Sequence, residues 1–345
     1  MSPRVSKTTR RAKPQARGRR DAAGESATQD AVAAGRRSPR LRQRVAWMYH
    51  VEDMTQGEIA EALGIGRVTV VRLLSEARAM NEVRVTLARE VAGLAKLEIG
   101  LQKRFGVKEA VVAPLSSPDA DPLPAIAAAA GAYVPELLRP DMKIGVGWGG
   151  TLSRMLGFLA EKATPRLTVV SLLGGLTHVR HLNPAEVAWQ FARAYMADCY
   201  LLPAPALVDG VETKRALVER CGLREVFDFA ATLDAAVLSV GSIAPGATNY
   251  NGVITEREER ELRAAGAVGD VLYNFFDASG RLVDHPINRR TMSVPMDSLA
   301  RAPLRVIVSG GAAKVEALAG AFKLLNPTAV VTDEATAAAL LDRAP

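Results

Sequence analysis

A glycine-rich segment is the first place where this sequence could bind a small molecule. The run Lys143-Ile-Gly-Val-Gly-Trp-Gly-Gly-Thr151 is typical of a buried strand, a tight turn and the start of a helix. Gly149 and Gly150 let backbone N–H groups approach a ligand, the helix N-terminus favours an anion, and Thr151 adds a hydroxyl. The run lacks the Gly-Lys-Ser/Thr ending of a P-loop and matches a dinucleotide fingerprint poorly. A tight turn that binds nothing would also have this pattern.

Three further glycine-bearing turns follow predicted strands, at residues 173–175, 241–243 and 309–311. In an open parallel sheet, ligands bind outside the carboxyl ends of the strands, so the four turns predict one crevice. Gly241, Ser242 and Gly311 are therefore candidate ligand contacts. Lys314 follows the last turn, where it could meet a phosphate or simply face solvent.

Asp270 is the candidate carboxylate of this crevice. It lies in Gly266-Ala-Val-Gly-Asp-Val271, beside an apolar strand, where it could bind sugar hydroxyls or cap a loop. Asp270 and Lys314 could also form the acid–base pair of a sugar-phosphate isomerase or deaminase, which is the alternative function. The four histidines have neither metal-ligand nor triad spacing: His50, His178, His181 and His285. We therefore expect a binding domain with no metal, no cofactor and no catalytic residues.

Residues 54–78 have the pattern of a helix-turn-helix. Thr55 is a good N-cap for Gln56–Leu63, with Glu58 completing a capping box, and Gly64 suits a positive φ at the helix end. A second helix is predicted over residues 67–78. The apolar positions that would lock the two helices together are Ile59, Ala60, Leu63, Ile65, Val70, Leu73 and Leu74.

The polar side chains of this segment predict binding to double-stranded operator DNA. Side chains on the outer face of a recognition helix reach base edges and phosphates in the major groove. The candidate contacts are Thr55, Gln56, Arg67, Thr69, Arg72 and Ser75. Because one recognition helix reads only a few base pairs, specificity requires a dimer or tetramer on repeated half-sites. An ordinary helical hairpin is the alternative interpretation.

The elements that position these residues form two predicted domains. Helical spacing begins at Leu41, residues 82–87 alternate like a short strand or wing, and residues 91–105 resemble a connecting helix. Short apolar runs then alternate with amphipathic helices, which predicts a doubly wound α/β domain with a mostly parallel sheet. The runs are 110–113, 144–146, 167–172, 235–240, 304–308 and 329–331; the helical stretches are 126–138, 151–161, 185–196, 256–265, 313–324 and 334–341.

Charge is concentrated at the N-terminus. The net charge is +7, yet residues 1–40 hold eleven Lys and Arg against three acidic residues, so the remainder is close to neutral. We predict a disordered basic tail over 1–40, a DNA-binding domain over 41–88, a linker helix over 89–107 and an effector domain over 108–345. The tail is either a solvated segment or an arm that adds salt-sensitive phosphate contacts. An organellar transit peptide is a weaker alternative, because a DNA reader follows.

Cysteine content and hydropathy fit a cytoplasmic protein. Two cysteines, Cys199 and Cys221, are too few for a disulfide framework. Nothing resembles a secretory signal, and no apolar run has the length of a membrane span.

The run MTQGEIAEALGIGRVTVVRLLSEAR resembles the N-terminal, winged-helix-like domain of SorC-type (DeoR/SorC) bacterial transcription regulators. The family commonly has Ser where this chain has Gly66. Glycine lacks the hydroxyl of that Ser, so this chain loses one possible phosphate contact. The similarity continues in order through IGVGWGGTL, LLGGL, LLPAP, LSVGSI, GAVGDVLYNFFDASG and VVTDEATAAALL, from about residue 41 to the end.

This resemblance implies an effector domain related to ribose-phosphate isomerase and glucosamine-phosphate deaminase folds. It implies a cytoplasmic, tetrameric regulator, with repression of a carbohydrate or polyol operon as the default, that binds sugars, polyols or their phosphates. By matching position, the implied pocket residues are Gly149, Gly150, Thr151, Gly241, Ser242, Asp270, Gly311 and Lys314. Many relatives have Arg where this chain has Gly150, and some have Arg where it has Leu173. A monophosphate or a neutral polyol is therefore favoured over a bisphosphate.

Overall fold

The computed structural model describes residues 39–80, 82–83, 94–117, 119–176, 183–245, 250 and 253–343. Residues 1–38 of the tail predicted over 1–40, residues 84–87 of the predicted wing, and His178 and His181 lie outside this set. The chain divides into two compact units, Met1–Arg84 and Val85–Pro345.

The smaller unit contains three helices, α1 Pro39–His50, α2 Gln56–Leu63 and α3 Arg67–Ala79. Helix α1 begins at Pro39, a residue type favoured in the first helical turn, so residues 39 and 40 are helical although they were expected in the tail. The three helices enclose one small core, formed by Val45, Met48, Ile59, Val70, Leu73 and Leu74.

An ion pair ties the end of the described segment to α1. The Arg42 guanidinium donates two hydrogen bonds of 2.6 Å to the Glu82 carboxylate, which lowers the pKa of Glu82. Residues 82 and 83 form bends, so the predicted strand does not begin there.

The larger unit is built on a seven-stranded, fully parallel sheet with strand order β1-β10-β9-β5-β2-β3-β4. The chain proceeds outward from β2 to β3 and β4, then returns to place β5 on the other side of β2. The strands of this sheet are β1 Glu109–Ala113, β2 Lys143–Val146, β3 Thr168–Ser171, β4 Asp198–Tyr200, β5 Ala235–Leu238, β9 Leu304–Val308 and β10 Ala329–Asp333.

Apolar cores cover both faces of this sheet, as the sequence predicted. Alternate side chains point to opposite faces: Val146 and Val237 belong to one core, whereas Leu238 and Ile307 belong to the other. The helices of the described part of this unit are α4 Leu94–Phe105, α5 Pro122–Leu137, α6 Gly150–Met155, α7 Pro184–Tyr195, α8 Val211–Arg220, α9 Arg224–Ala230, α10 Glu256–Ala264, α11 Pro286–Arg290, α12 Met296–Arg301, α13 Val315–Leu325 and α14 Glu334–Asp342.

A second sheet, absent from the sequence prediction, has three antiparallel strands: β6 Gly241–Ser242, β7 Ala267–Val271 and β8 Asn274–Asp277. Strand β4 was also missed. Strand β4 has three residues and β6 has two, which is too few for alternation or an apolar run to reveal them, and β7 and β8 have polar residues among their apolar ones.

Helix α4 is part of the larger unit. Its Leu101 is fully buried in the core, and Gly100 lies so close to Leu341 of α14 that an added Cβ would sit 2.7 Å from the Leu341 Cδ1. The helix predicted as a linker therefore packs as a layer of the α/β unit. Among the residues described, no helix combines the length and apolarity needed to cross a bilayer.

Candidate effector site and DNA-reading helix

The two ends of α2, the helix before the DNA-reading helix, have the local structure that the sequence predicted. The Thr55 hydroxyl accepts from the Glu58 backbone N–H at 3.3 Å, and the Glu58 carboxylate accepts from the Thr55 backbone N–H at 2.8 Å. These bonds lower the pKa of Glu58. Gly64 ends α2 at φ 62°, in the left-handed region where glycine is favoured. The hydroxyl of Thr55 is thus engaged in the cap, although it was a candidate DNA contact.

A surface cleft of about 720 Å³ joins three of the candidate DNA contacts in the smaller unit. Thr55 and Gln56 line it from the start of α2, and Arg67 lines it from the start of α3. The other lining residues are Tyr49, His50, Asp53, Met54 and Gly57. A helix N-terminus and a guanidinium facing one cleft suit a phosphate group.

The remaining candidates lie along α3. Arg72 and Ser75 are exposed, whereas Thr69 is half-buried. The guanidinium of Arg72 pairs with the Glu76 carboxylate one turn later. The structure therefore brings Arg67, Arg72 and Ser75 to the surface of one helix, with Thr69 at its side.

In the larger unit, the predicted turns meet at the carboxyl ends of β2, β5 and β9. The Gly147 N–H donates to the Val237 carbonyl at 2.8 Å, and the Ser309 hydroxyl donates to the Val240 carbonyl at 3.1 Å. An ideal Cβ on Gly149 would lie 3.6 Å from the Ser239 Oγ. Three of the four turns are consequently neighbours. The turn at Leu173 instead forms its backbone bonds with residues near Met292 and Ala204.

The start of α5 lies beside two of these turns, so that α5 and the three turns form a ring. An ideal Cβ on Gly150 would lie 3.5 Å from Leu123, and one on Gly311 would lie 3.5 Å from Pro122. The ring lies at the ends of β2 and β5, which are neighbours in the sheet. In the chain, β2 is followed by β3 and β4 on its other side before β5 is reached. Such a switch point is the usual place for a ligand in an open α/β sheet.

Gly311 was expected to contact a ligand, but its backbone N–H is bonded within the protein. Its φ of 102° requires glycine, but its N–H already donates to the Asp333 carboxylate at 3.0 Å and to the Thr336 hydroxyl at 2.7 Å. The N–H that a ligand would need is therefore used inside the protein. Gly311 shapes the turn, and Asp333 and Thr336, which the sequence analysis did not select, hold it in place.

Asp270 lies inside β7, next to the turn at Leu272 and Tyr273, and its carboxylate caps that turn by accepting from the Tyr273 backbone N–H. It pairs directly with Gly241 of β6, and an ideal Cβ on Gly241 would lie 2.1 Å from the Asp270 Oδ1. Only glycine at 241 leaves room for this carboxylate. Two candidates that are 29 positions apart in the sequence are thus in direct contact.

The Asp270 carboxylate is buried and held from two sides. Its Oδ1 accepts from the Tyr250 hydroxyl at 3.2 Å, and its Oδ2 accepts from the Tyr273 backbone N–H at 3.0 Å. Burial raises the pKa of Asp270 to about 6, against the effect of these bonds and of the Lys314 charge. A carboxylate with this environment is ionised at neutral pH and can accept further hydrogen bonds.

The positive charge of Lys314 acts on the Asp270 carboxylate. It ends the short 3₁₀ turn Ala312–Lys314 and is partly buried. Burial lowers the pKa of Lys314, and the negative charge of Asp270 partly opposes that shift. Ser242 and Thr151 are buried at the same edge. Gly241, Ser242, Asp270 and Lys314 therefore lie close together, and Thr151 is buried in the first turn of α6.

Sequence analysis missed an aromatic wall beside Asp270. The ring of Tyr273 lies 5.3 Å from the ring of Trp148 and 6.0 Å from that of Tyr250. Leu272 and Tyr273 both have positive φ, 53° and 58°, which is costly for bulky side chains. Within the described part of the chain, the buried Tyr273 hydroxyl has no hydrogen-bond partner. The turn that supplies its N–H to Asp270 thus also buries a hydroxyl that has no partner among the described residues.

No cluster of three or more His, Cys, Asp or Glu residues among the described residues could hold a metal ion. His285 caps α11 through its Nδ1, which accepts from the Ile287 N–H at 3.3 Å. The candidate site thus consists of a carboxylate, an ammonium group, hydroxyls and aromatic rings.

Comparison with known proteins identifies the family of this chain. A family model described as "Putative sugar-binding domain" matches residues 89–342. The erythritol catabolism regulatory protein EryD of Brucella abortus (strain 2308) is 30% identical over 304 residues, 87% of this chain and 96% of EryD. The deoxyribonucleoside regulator of Bacillus subtilis (strain 168) is 29% identical over 309 residues, 89% of this chain and 99% of that protein.

A solved structure extends the similarity to the fold. The full-length sorbitol operon regulator SorC from Klebsiella pneumoniae matches with a TM-score of 0.67 and 28% identity, over 88% of this chain and 99% of SorC. The match includes the helix-turn-helix as well as the α/β unit. The chain belongs to the SorC-type family of transcriptional regulators with a sugar-binding domain.

Proposed function

We propose that this regulator binds operator DNA through α2 and α3, and that a small polyol, sugar or sugar monophosphate in the crevice changes its DNA affinity. The observation that carries the proposal is the buried Asp270 carboxylate, facing Lys314 at the switch point of the parallel sheet. A carboxylate accepts hydrogen bonds from ligand hydroxyls, and a lysine nearby can neutralise one phosphate. The names of the relatives, which refer to erythritol, deoxyribonucleosides and sorbitol, support this ligand class.

The charges available in the crevice favour a ligand with at most one phosphate. Lys314 is the cation that the candidate residues provide, and its charge is already shared with Asp270. Leu173 is buried and apolar, and Gly150 has no side chain. A bisphosphate would need a second cation from elsewhere, whereas a neutral polyol would need none.

A binding role is favoured over catalysis, because the relatives are named as regulators. An isomerase or deaminase remains the competing function, since Asp270 and Lys314 could exchange a proton with a bound sugar phosphate. The two functions differ in whether the ligand leaves the site chemically changed.

We further propose that the protein acts as a dimer or tetramer in the cytoplasm, and as a repressor released by its ligand. A single three-helix unit reads too few base pairs for operator recognition. Ligand control requires the ligand to bind two arrangements of the oligomer with different affinity.

The test is a thermal-stability screen of the full chain with erythritol, sorbitol, deoxyribose and their monophosphates. Each compound that raises the melting temperature is then added to a DNA-binding assay with the DNA upstream of the protein's own gene. Recovery of the unchanged compound together with altered DNA affinity supports the proposal. Chemical conversion would make the protein an enzyme, and unaltered DNA affinity would remove the regulatory link.

Matched variants locate the site in the same screen. Lys314→Ala should lose the response to the monophosphates more than the response to neutral polyols, because it removes a cation. Lys108→Ala removes an exposed lysine at the amino end of β1, the opposite edge of the sheet, and should change neither response. Equal losses in both variants would place the binding site outside the crevice.

A further inference from the structure

Two exposed valines on the DNA-reading helix have no role in the folded unit. Val68 is 84% exposed and Val71 is 46% exposed, although valine is a residue type that proteins usually bury. The valine between them, Val70, is fully buried in the core of the unit. Val68 and Val71 are therefore available to a partner. Sequence analysis selected only polar residues of this helix and did not consider these valines.

Helix geometry places these valines on the face that points away from the core. Successive residues of an α-helix are about 100° apart around the axis. The buried residues of α3 cover one side of the helix, and they are Val70, Leu73, Leu74 and Ala77. Val68 and Ser75 lie opposite the centre of that arc and within about 20° of each other, with Val71 and Arg72 on either side.

The same geometry separates the predicted contacts into two groups. Arg67 and Thr69 lie about 100° to either side of Val68, toward the flanks of the helix. Flanking positions suit contacts to the phosphate backbones that border a groove, whereas the outermost line of the helix enters the groove. Val68 is also in the first turn of α3, the part of a recognition helix that approaches base edges.

We propose that Val68 and Val71 read thymine through its 5-methyl group in the major groove. This inference rests on the proposed function, since it requires sequence-specific DNA binding by α3. The outer face combines two small apolar side chains with the Arg72 guanidinium and the Ser75 hydroxyl. Thymine presents an apolar methyl beside a hydrogen-bond acceptor in the major groove, and guanine presents two acceptors suited to arginine. A half-site with thymine beside guanine matches this face.

Electrostatics favours DNA over a protein partner at this face. Arg67, Arg72 and Arg78 lie on α3, and Glu76, its one acidic residue, is paired with Arg72. A polyanion gains from such a surface, and an exposed apolar pair between basic residues fits the apolar strip of methyl groups along a groove.

The experiment first selects duplexes from a randomised library with the full-length protein. Each thymine of the selected consensus is then replaced by deoxyuridine, which lacks only the 5-methyl group. We expect one or two positions per half-site where this change weakens binding about threefold to fivefold, the effect of one buried methyl group. Val68→Ala should abolish the sensitivity at one position, and Val71→Ala at another.

The matched control is Val51→Ala. Val51 is 57% exposed in the same unit but lies outside α3, so the variant should keep the full deoxyuridine sensitivity. Circular dichroism melting checks that all three variants fold, and sedimentation checks that their assembly is unchanged.

The outcomes distinguish this inference from the function on which it rests. If no consensus is selected, the DNA-reading function itself fails. A consensus whose deoxyuridine substitutions have no effect, or the same effect in Val68→Ala and Val71→Ala as in the parent protein, overturns the methyl readout alone. A change of oligomeric state in Val68→Ala with intact methyl sensitivity would assign the patch to a contact between protein copies and also overturn it.

Discussion

The DNA-reading unit and the proposed effector crevice differ in the sequence distance over which each candidate site is assembled. The candidate DNA contacts span residues 55–75 and rely on a cap and a turn formed by immediate neighbours. The crevice joins residues from Pro122 to Thr336, and its Gly241–Asp270 contact depends on pairing between two strands of a small sheet. A site of the first kind depends on local propensity, whereas a site of the second kind depends on the packing of the whole unit.

The largest expected effect of this difference is at Gly241. In Gly241→Ala the new Cβ would lie 2.1 Å from the Asp270 Oδ1 and force that carboxylate away from Tyr250 and Tyr273. Losing hydrogen bonds to a buried charge should cost about 3 kcal/mol of unfolding free energy in the larger unit. Native-state hydrogen exchange would show reduced protection in β7 and β8, with protection in α2 and α3 unchanged.

Gly210→Ala is the control for that substitution. Gly210 has extended backbone and no atom within 4 Å of the added Cβ, so the cost should stay below about 1 kcal/mol. Equal losses in the two variants would mean that the contact with Asp270 is not what excludes a side chain at position 241.

The pH dependence of the larger unit should follow Asp270. Burial raises the pKa of Asp270 to about 6 from an ordinary value of 3.8, so the folded state holds its proton more tightly than the unfolded chain. The resulting stability is fully present below about pH 4 and is lost as pH rises through 6. The difference should be on the order of 2 kcal/mol.

Urea unfolding between pH 4 and pH 7 measures this dependence, with Asp270→Asn as the variant that cannot titrate. The variant should lose the decline in unfolding free energy between pH 4 and pH 6 that the parent shows. If both proteins keep the same decline, another group in the unit is responsible.

Two identical capping boxes allow the same change to be made in each unit. Thr55 with Glu58 and Thr255 with Glu258 form the same pairs of hydrogen bonds at matching distances. Thr55→Ala and Thr255→Ala should each cost about 1 kcal/mol. The small core of the DNA-reading unit provides less stability to lose, so Thr55→Ala should lower the melting temperature of its unit more than Thr255→Ala does in the other.

Calorimetry of the full chain with two resolved transitions measures both effects. A larger decrease of melting temperature in Thr255→Ala would contradict this comparison, because the larger unit would then depend on local caps as strongly as the DNA-reading unit does.

Sequence patterns were sufficient for the features that depend on near neighbours. The capping box at Thr55, the left-handed Gly64 and the limits of α2 all follow from side chains within a few residues. The six predicted apolar runs became strands of the parallel sheet, since a strand buried on both faces needs continuous apolar residues.

Patterns were insufficient where distant segments decide the structure. The Leu272–Tyr273 turn has no Gly, Asn or Asp in its two central positions, so nothing in the sequence marked a tight hairpin there. The strand that contains Asp270 and the role of Tyr273 beside it were therefore missed. The N–H of Gly311 was expected to face a ligand because its partners, Asp333 and Thr336, are more than 20 residues away.

The smallest expected effect is at Tyr273, and the two tyrosines of the aromatic wall should respond with opposite signs. Tyr273→Phe keeps the ring beside Trp148 and removes a buried hydroxyl that has no hydrogen-bond partner among the described residues. It should therefore raise the unfolding free energy of the ligand-free protein by about 0.5–1 kcal/mol. Tyr250→Phe removes the donor to the Asp270 Oδ1 and should lower the unfolding free energy by about 1.5 kcal/mol, because a hydrogen bond to a buried charge is lost.

The same pair of variants tests whether the strained turn exists for the ligand. Bulky residues at two consecutive positive φ values persist where the surrounding structure, or a function, requires them. If the Tyr273 hydroxyl bonds the effector, Tyr273→Phe must weaken ligand binding while it stabilises the ligand-free protein, as titration calorimetry and urea unfolding would show together. A gain in stability with unchanged ligand affinity would instead confine the turn to supporting Asp270, which needs only the backbone N–H of Tyr273.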